Sequence, residues 1–121
     1  MKTLDLIQVQ YDYHMNNQGS TFSQSGIVKI GFMVALTGYE KTYKDFSIYN
    51  LIDFYQFNQK ILRDNKNYYV GTWLNEDNNK VYVGIAICLK DKKEALNLAK
   101  NNKEIAIYDL VNNKEIRINY K

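Results

Sequence analysis

The 121-residue sequence has no proline, one cysteine and one histidine. A single thiol, Cys88, excludes an internal disulfide framework and a cysteine-based zinc site. A single imidazole, His14, leaves no partner for a histidine-rich metal centre. No window approaches the roughly 20 apolar residues of a membrane span, and the N-terminus lacks the apolar core of a signal peptide. A basic stripe is also missing. The fourteen lysines and two arginines are interleaved with acids for a net charge of +3, and even Lys90-Asp91-Lys92-Lys93 carries its own carboxylate. Mixed charge of this kind marks a solvated surface, so neither DNA nor RNA is expected as a partner, and a soluble, cytoplasmic protein is. The abundance of Asn, Lys, Tyr and Ile reflects an AT-rich coding bias and says nothing about activity.

What is present suits one domain over residues 1–121, a length that can bury a real core without staples. Residues 3–13 alternate apolar and polar from Ile7 onward, which predicts a half-buried strand, and the polar stretch 14–26 reads as a loop. Residues 27–36, apolar on both faces apart from Lys29, predict a central strand covered on both sides. From Phe46 to Arg63 the period changes: Ile48, Leu51, Ile52, Tyr55 and Ile61-Leu62 form the stripe of an amphipathic helix, with Ser47 placed to accept from its first amides. Residues 67–74 and 80–88 predict a hairpin around Asn75–Asn79, with Asp77 opposite Lys80. Asp91 and Glu94 mark the start of a second helix over 91–101. A last hairpin, 104–110 with 115–119, turns at Asn112-Asn113. The order β-β-α-β-β-α-β-β predicts an α+β fold: a single antiparallel-rich β-sheet with two helices.

Catalytic signatures are lacking: there is no phosphate loop, nucleophile elbow, His-Glu-x-x-His or Cys-x-x-Cys. Cys88 lies in the apolar run Gly-Ile-Ala-Ile-Cys-Leu, where a thiol acts as a small hydrophobe in a core or interface. His14 borders a polar loop and reads as surface. Acid pairs such as Asp45 and Asp53 occur in any soluble protein. No enzyme activity, cofactor or metal is expected.

The informative segment is the hairpin 67–88. Pairing Leu74 with Val83, Thr72 with Ile85 and Val70 with Ile87 makes one apolar face. The other face then holds Tyr69, Gly71 and Trp73 beside Tyr82, Gly84, Ala86 and Cys88, a floor of small residues flanked by rings. Flat ligands such as adenine stack on such surfaces; equally, a helix or a sister subunit could cover it, the glycines allowing close approach. In the last hairpin, Tyr108 opposite Arg117 makes a cation–π pair or a phosphate grip. Arg63 serves either as a phosphate contact or as a charge at a helix C-terminus.

The run Val70-Gly71-Thr72-Trp73, then Lys80-Val81-Tyr82-Val83, Glu94-Ala95-Leu96-Asn97-Leu98-Ala99-Lys100-Asn101-Asn102 and Ala106-Ile107-Tyr108-Asp109-Leu110 resembles the phage and prophage Thoeris anti-defence proteins. The resemblance covers residues 70–118, and Lys103 departs from the glutamine that follows the Asn-Asn pair in many relatives. It implies a non-catalytic sponge that sequesters a cyclic ADP-ribose-type signal, assembled as a homodimer or higher homo-oligomer with pockets beside a subunit interface. It also allows cyclic oligonucleotides at separate sites. On this reading Trp73 or Tyr82 stacks on the base, Arg117 or Arg63 holds phosphate oxygens, and Tyr69, Tyr108 and Asn102 complete the ligand-binding set. Two other classes fit the same chain: a protein-blocking inhibitor of another defence system, and an interaction module without a ligand.

Overall fold

A computed structural model describes residues 3–23, 26–27, 30–112 and 114–119. The elements run α1 (Thr3–Asn17), β1 (Gly19–Ser23), β2 (Gly26–Ile27), β3 (Phe32–Ala35), β4 (Lys41–Tyr43), α2 (Ile48–Phe57), α3 (Gln59–Asp64), β5 (Tyr68–Asn75), β6 (Lys80–Leu89), α4 (Lys92–Asn101), β7 (Ala106–Asp109) and β8 (Lys114–Arg117). The strands form one sheet in the order β2-β1-β5-β6-β3-β7-β8, with β4 also pairing β6, and every pairing is antiparallel. The fold is α+β, as the sequence pattern predicts.

Its first element differs from expectation. Residues 3–13 belong to a helix, whose buried stripe is Leu6, Ile7, Gln10 and His14. Two of those four are polar, so the helical period is invisible to a hydrophobicity count, and the exposed Val9 and Tyr13 create the false alternation. The expected loop at 14–26 contains β1, a Gly-Ser-Thr strand that lacks β-branched apolar residues and is held by its ladder to β5, from Gly19 opposite Trp73 to Phe22 opposite Val70. The expected strand 27–36 shortens to β3, because Gly31 turns the chain at φ 115°; Val28 and Lys29 lie outside the described residues. Within β3, Met33 and Val34 point to opposite faces and are both buried, as expected of a strand covered on both sides; Ala35 at its end is exposed.

The helix expected over 46–63 is two helices meeting at Asn58, whose side-chain amide donates to Phe54 O at 2.9 Å. Ser47 caps α2 in reverse: its N–H and its hydroxyl both donate to Asn50 Oδ1, at 2.8 and 3.3 Å. Asp91 caps α4 as expected, accepting from the N–H groups of Lys93 and Glu94.

Both hairpins shift by two residues. Leu74 faces Val81, Thr72 faces Val83 and Val70 faces Ile85, and the ladder closes at Asn75 opposite Lys80 rather than at Asp77. The turn is longer than expected because Asn75 Oδ1 accepts from Asp77 N–H, Asn78 Oδ1 accepts from Lys80 N–H, and Asn79 adopts φ 57°. In the last hairpin Tyr108 faces Glu115 and Arg117 faces Ala106; Asn113 lies outside the described residues. A shift of two preserves every face assignment, since side chains alternate with period two.

The helices share one face of this sheet. Along β6, Val81, Val83 and Ile85 lie in a cluster with Val70, Ile7, Leu51, Phe54 and Tyr55. Further along the same side, Ile87 and Leu89 join Val34, Ile107, Ala95 and Ala99. Thus α1, α2 and α3 cover one half of the face and α4 the other. Burying a Val, Leu or Ile side chain contributes roughly 1.5–3 kcal/mol, so this one-sided core is where the fold's stability resides.

Candidate functional site

Among the described residues, no helix lies on the opposite face, and its side chains follow from strand parity. Trp73 on β5 stands directly opposite Tyr82 on β6, with ring centroids 5.6 Å apart and planes inclined by 52°. Asn78, in the β5–β6 turn, donates from its amide to Tyr82 Oη at 2.9 Å and fixes that ring. On the far side of Trp73 stands Gly19, which has no side chain to cover the indole, and Trp73 is 56% exposed. One row along, Gly71 stands opposite Gly84, and a β-carbon added to Gly84 would meet nothing within 4 Å. The next row holds Tyr69 opposite Ala86. The result is a two-glycine floor with the Trp73–Tyr82 pair on one side and Tyr69 on the other.

Lys80 shares the face of Tyr82, two residues before it on β6, and is exposed. It supplies the ammonium nearest along the strand to the ring pair. Sequence reasoning assigned Lys80 to a turn contact with Asp77 and so missed it, although its parity with Tyr82 was available.

The remaining candidates stand apart. Tyr108, 41% exposed, and Arg117 belong to the same open face but to its other end, and Arg117 Nε lies 3.2 Å from Glu115 Oε1. From the strand order and pairings, the Tyr82 and Arg117 backbones are separated by three strand spacings and four residue rises, about 20 Å. Arg63 sits in the last turn of α3 on the helix side, its Nε 3.5 Å from Asp64 Oδ1, where its charge complements the helix dipole. Asn102 caps the C-terminus of α4, and its carbonyl accepts from Thr37 Oγ1 at 3.3 Å. The structure therefore groups Trp73, Tyr82 and Tyr69, separates Tyr108 and Arg117 from them, and places Arg63 and Asn102 behind the sheet.

The two single-copy reactive residues are both withdrawn from solvent, Cys88 partly and His14 almost wholly. Burial pushes the Cys88 thiol above its ordinary range, against a smaller opposing pull from Lys90, and its Sγ lies 3.4 Å from Ile30 O. His14, read from sequence as surface, is 3% exposed. Its Nδ1 lies 2.6 Å from Thr72 Oγ1, within a buried polar network that also joins Ser20, Gln10 and Tyr55. Among the described residues, no group of three or more His, Cys, Asp or Glu could hold a metal ion. A concavity of about 370 Å³ at the α2–α3 junction is lined by Phe57, Asn58, Lys60, Ile61, Asp64 and Asn65, none of them a member of the aromatic row. No helix is long and apolar enough to cross a membrane among the described residues. No family model matches the chain, and neither a curated protein nor a solved structure matches it.

Proposed function

We propose that this protein is a non-catalytic binder that holds and withholds a cyclic ADP-ribose-type signalling nucleotide, unchanged, on the open face of its sheet. The observation that carries the reading is the Trp73–Tyr82 pair beside the floor of Gly71 and Gly84. A purine laid on that floor gains an aromatic contact worth roughly 1–3 kcal/mol per base. Lys80 then supplies the cation for the phosphates. The resemblance of residues 70–118 to Thoeris anti-defence proteins supports the ligand class, and extends it to cyclic oligonucleotides at a separate site. The assembly proposed with it is a homodimer or larger homo-oligomer, which light scattering tests against the mass of one chain.

The test is capture and release. The protein is incubated with lysate from bacteria producing the signal, washed and heat-denatured, and the released small molecules are identified by mass spectrometry. Intact cyclic nucleotide supports the reading, and hydrolysed product overturns it in favour of an enzyme.

A second reading has its own observation. Val9 and Tyr13, four residues apart on one flank of α1, are exposed, an apolar pair suited to a protein-blocking inhibitor of a defence complex. The thermal shift separates the two. A ligand at a thousand times its dissociation constant stabilises a protein by about 4 kcal/mol, whereas a protein-blocking inhibitor shows no shift with any cyclic nucleotide.

A further inference from the structure

Helix α1 is attached to the sheet in an unusual way. A helix over a sheet ordinarily presents an apolar stripe to the core. On α1 the buried positions are Leu6, Ile7, Gln10 and His14, while Leu4, Val9 and Met15 are exposed and Tyr13 lies at the edge, its ring against Phe22. Its C-terminal half is held by ring contacts, Tyr11 and His14 against Phe46 and Tyr13 against Phe22, together with a run of buried hydrogen bonds. The Gln10 amide donates to Ser20 Oγ and to Val70 O, both at 2.9 Å, and Gln10 Oε1 accepts from Tyr55 Oη. Thr72 Oγ1 is shared between Ser20 Oγ and His14 Nδ1. His14 is thus the last member of a chain that ties α1 to β1, β5 and α2.

The surroundings of His14 suit a neutral ring and bring no carboxylate to a charged one. Thr72 on β5 meets the ring directly, and Ser20 on β1 is linked to it through the Thr72 hydroxyl. From the segment before α2 the Phe46 ring packs against it at 5.1 Å between centroids, inclined by 68°. Tyr43 and Tyr11 pack on Phe46 in turn. From α2 comes Tyr55, whose phenol burial holds in its neutral form, and burial does the same for Tyr43, with a further push from Asp53. The acids of α1 itself, Asp5 and Asp12, are exposed. No carboxylate raises the His14 imidazole; desolvation alone acts on it, and lowers its affinity for a proton. A buried group of this kind must take up a proton when it meets water in acid.

We propose that α1 is an acid-released latch: protonation of His14 frees Thr3–Asn17 from β1 and β5 while α4 and the strands beneath it stay folded. The two halves of the core make partial release feasible, because α1 packs on the cluster around Val83 and Leu51, whereas α4 seals a separate cluster around Val34 and Ile107. Local opening of one cooperative unit below the global unfolding free energy is a general property of proteins. His14 is the chain's only histidine, so no other side chain with an ordinary pKa titrates between pH 5 and 8.

The direction follows from linkage. The docked imidazole holds its proton less tightly than the free one, whose ordinary value is 6.5. Docking is therefore fully favoured above that value and weakens as pH falls below it. If the docked ring stays neutral, the opening equilibrium rises about tenfold between pH 7.5 and pH 5.5.

Amide hydrogen exchange on the intact chain tests this, after correction for the intrinsic pH dependence of exchange. Amides of α1 are expected to lose about tenfold protection between pH 7.5 and pH 5.5 while those of α4 keep theirs. His14→Gln, which stays neutral and retains a hydrogen-bonding group, should make α1 protection independent of pH over that interval. Equal loss in α1 and α4, or no loss in either, overturns the latch, as does a His14→Gln protein that keeps the pH dependence. If His14→Gln does not fold, the comparison of α1 with α4 in the native chain still decides.

Discussion

Trp73 and Tyr82 face one another across the β5–β6 ladder with 5.6 Å between ring centroids, on the side of the sheet away from every described helix. Neither ring serves the core, which lies on the other face around Val70, Val83 and Ile85. The proposed binding and the folding of the chain are therefore separable by mutation. Trp73→Ala should weaken nucleotide capture by roughly 1–3 kcal/mol, equivalent to about one to two decades in dissociation constant. Its melting temperature should stay close to that of the native chain, since Trp73 is 56% exposed. Titration calorimetry paired with thermal melts reads both quantities, and a large stability loss without a binding change would remove Trp73 from the site.

Gly84 offers the converse test. A β-carbon there meets nothing within 4 Å, and β-branched residues are favoured in strands by up to about 1 kcal/mol. Gly84→Val should then fold as well as the native chain or better. It should also raise a branched side chain from the floor between Trp73 and Tyr69 and block a flat ligand. Retained stability with lost capture, measured by urea denaturation and calorimetry, is the expected pair of results. Unimpaired capture would mean that the ligand does not use this floor.

The face that carries the rings was legible because the hairpin pattern gives parity, and parity survives a two-residue slip in register. Leu74 changed partner from Val83 to Val81 without changing side. Asp91 announced α4 because its capping chemistry is local. Helix α1 was not legible, since Gln10 and His14 occupy its buried stripe and only their partners on β1, β5 and α2 make those positions tolerable. Strand β1 was hidden for a similar reason: its Gly-Ser-Thr sequence becomes a strand through pairing with β5. The distance between Arg117 and the rings depends on the order of the strands, which joins segments far apart in sequence and leaves no local signature.

The Asp109 carboxylate organises the β7–β8 turn. It accepts from the Asn112 side-chain amide at 2.7 Å and from the N–H groups of Asn112 and Val111 at 3.2 and 3.0 Å. The Asn112 side-chain bond, with help from those two amides and Lys114, holds its pKa below the ordinary 3.8 against desolvation. The folded state thus binds this proton less readily than the unfolded state, so the stabilisation is present above the ordinary value and is lost as pH falls below it. Urea midpoints of the native chain should fall between pH 5 and pH 3 more than those of Asp109→Ala. Parallel pH curves for the two proteins would show that the turn carbonyls and strand pairing, not this carboxylate, hold the hairpin.

For the proposed nucleotide, two cations are candidates to meet its phosphates, and they stand at different distances from the rings. Lys80 is on the strand and face of Tyr82, about 7 Å along the backbone, whereas Arg117 lies about 20 Å away and is paired with Glu115. Within one copy, a phosphate attached to a base on Trp73 is within reach of the lysine stem and outside the reach of the arginine. Lys80→Ala should weaken capture of a cyclic ADP-ribose-type ligand and flatten its salt dependence, because it removes an exposed charge that screening acts on. Arg117→Ala should leave a one-copy site unchanged. Calorimetric titrations at low and high salt for both variants read the difference. A loss confined to Arg117→Ala would require the arginine to come from a second copy folded over the same face, and light scattering on that variant would then have to show the assembly intact for the loss to be assigned to the contact itself.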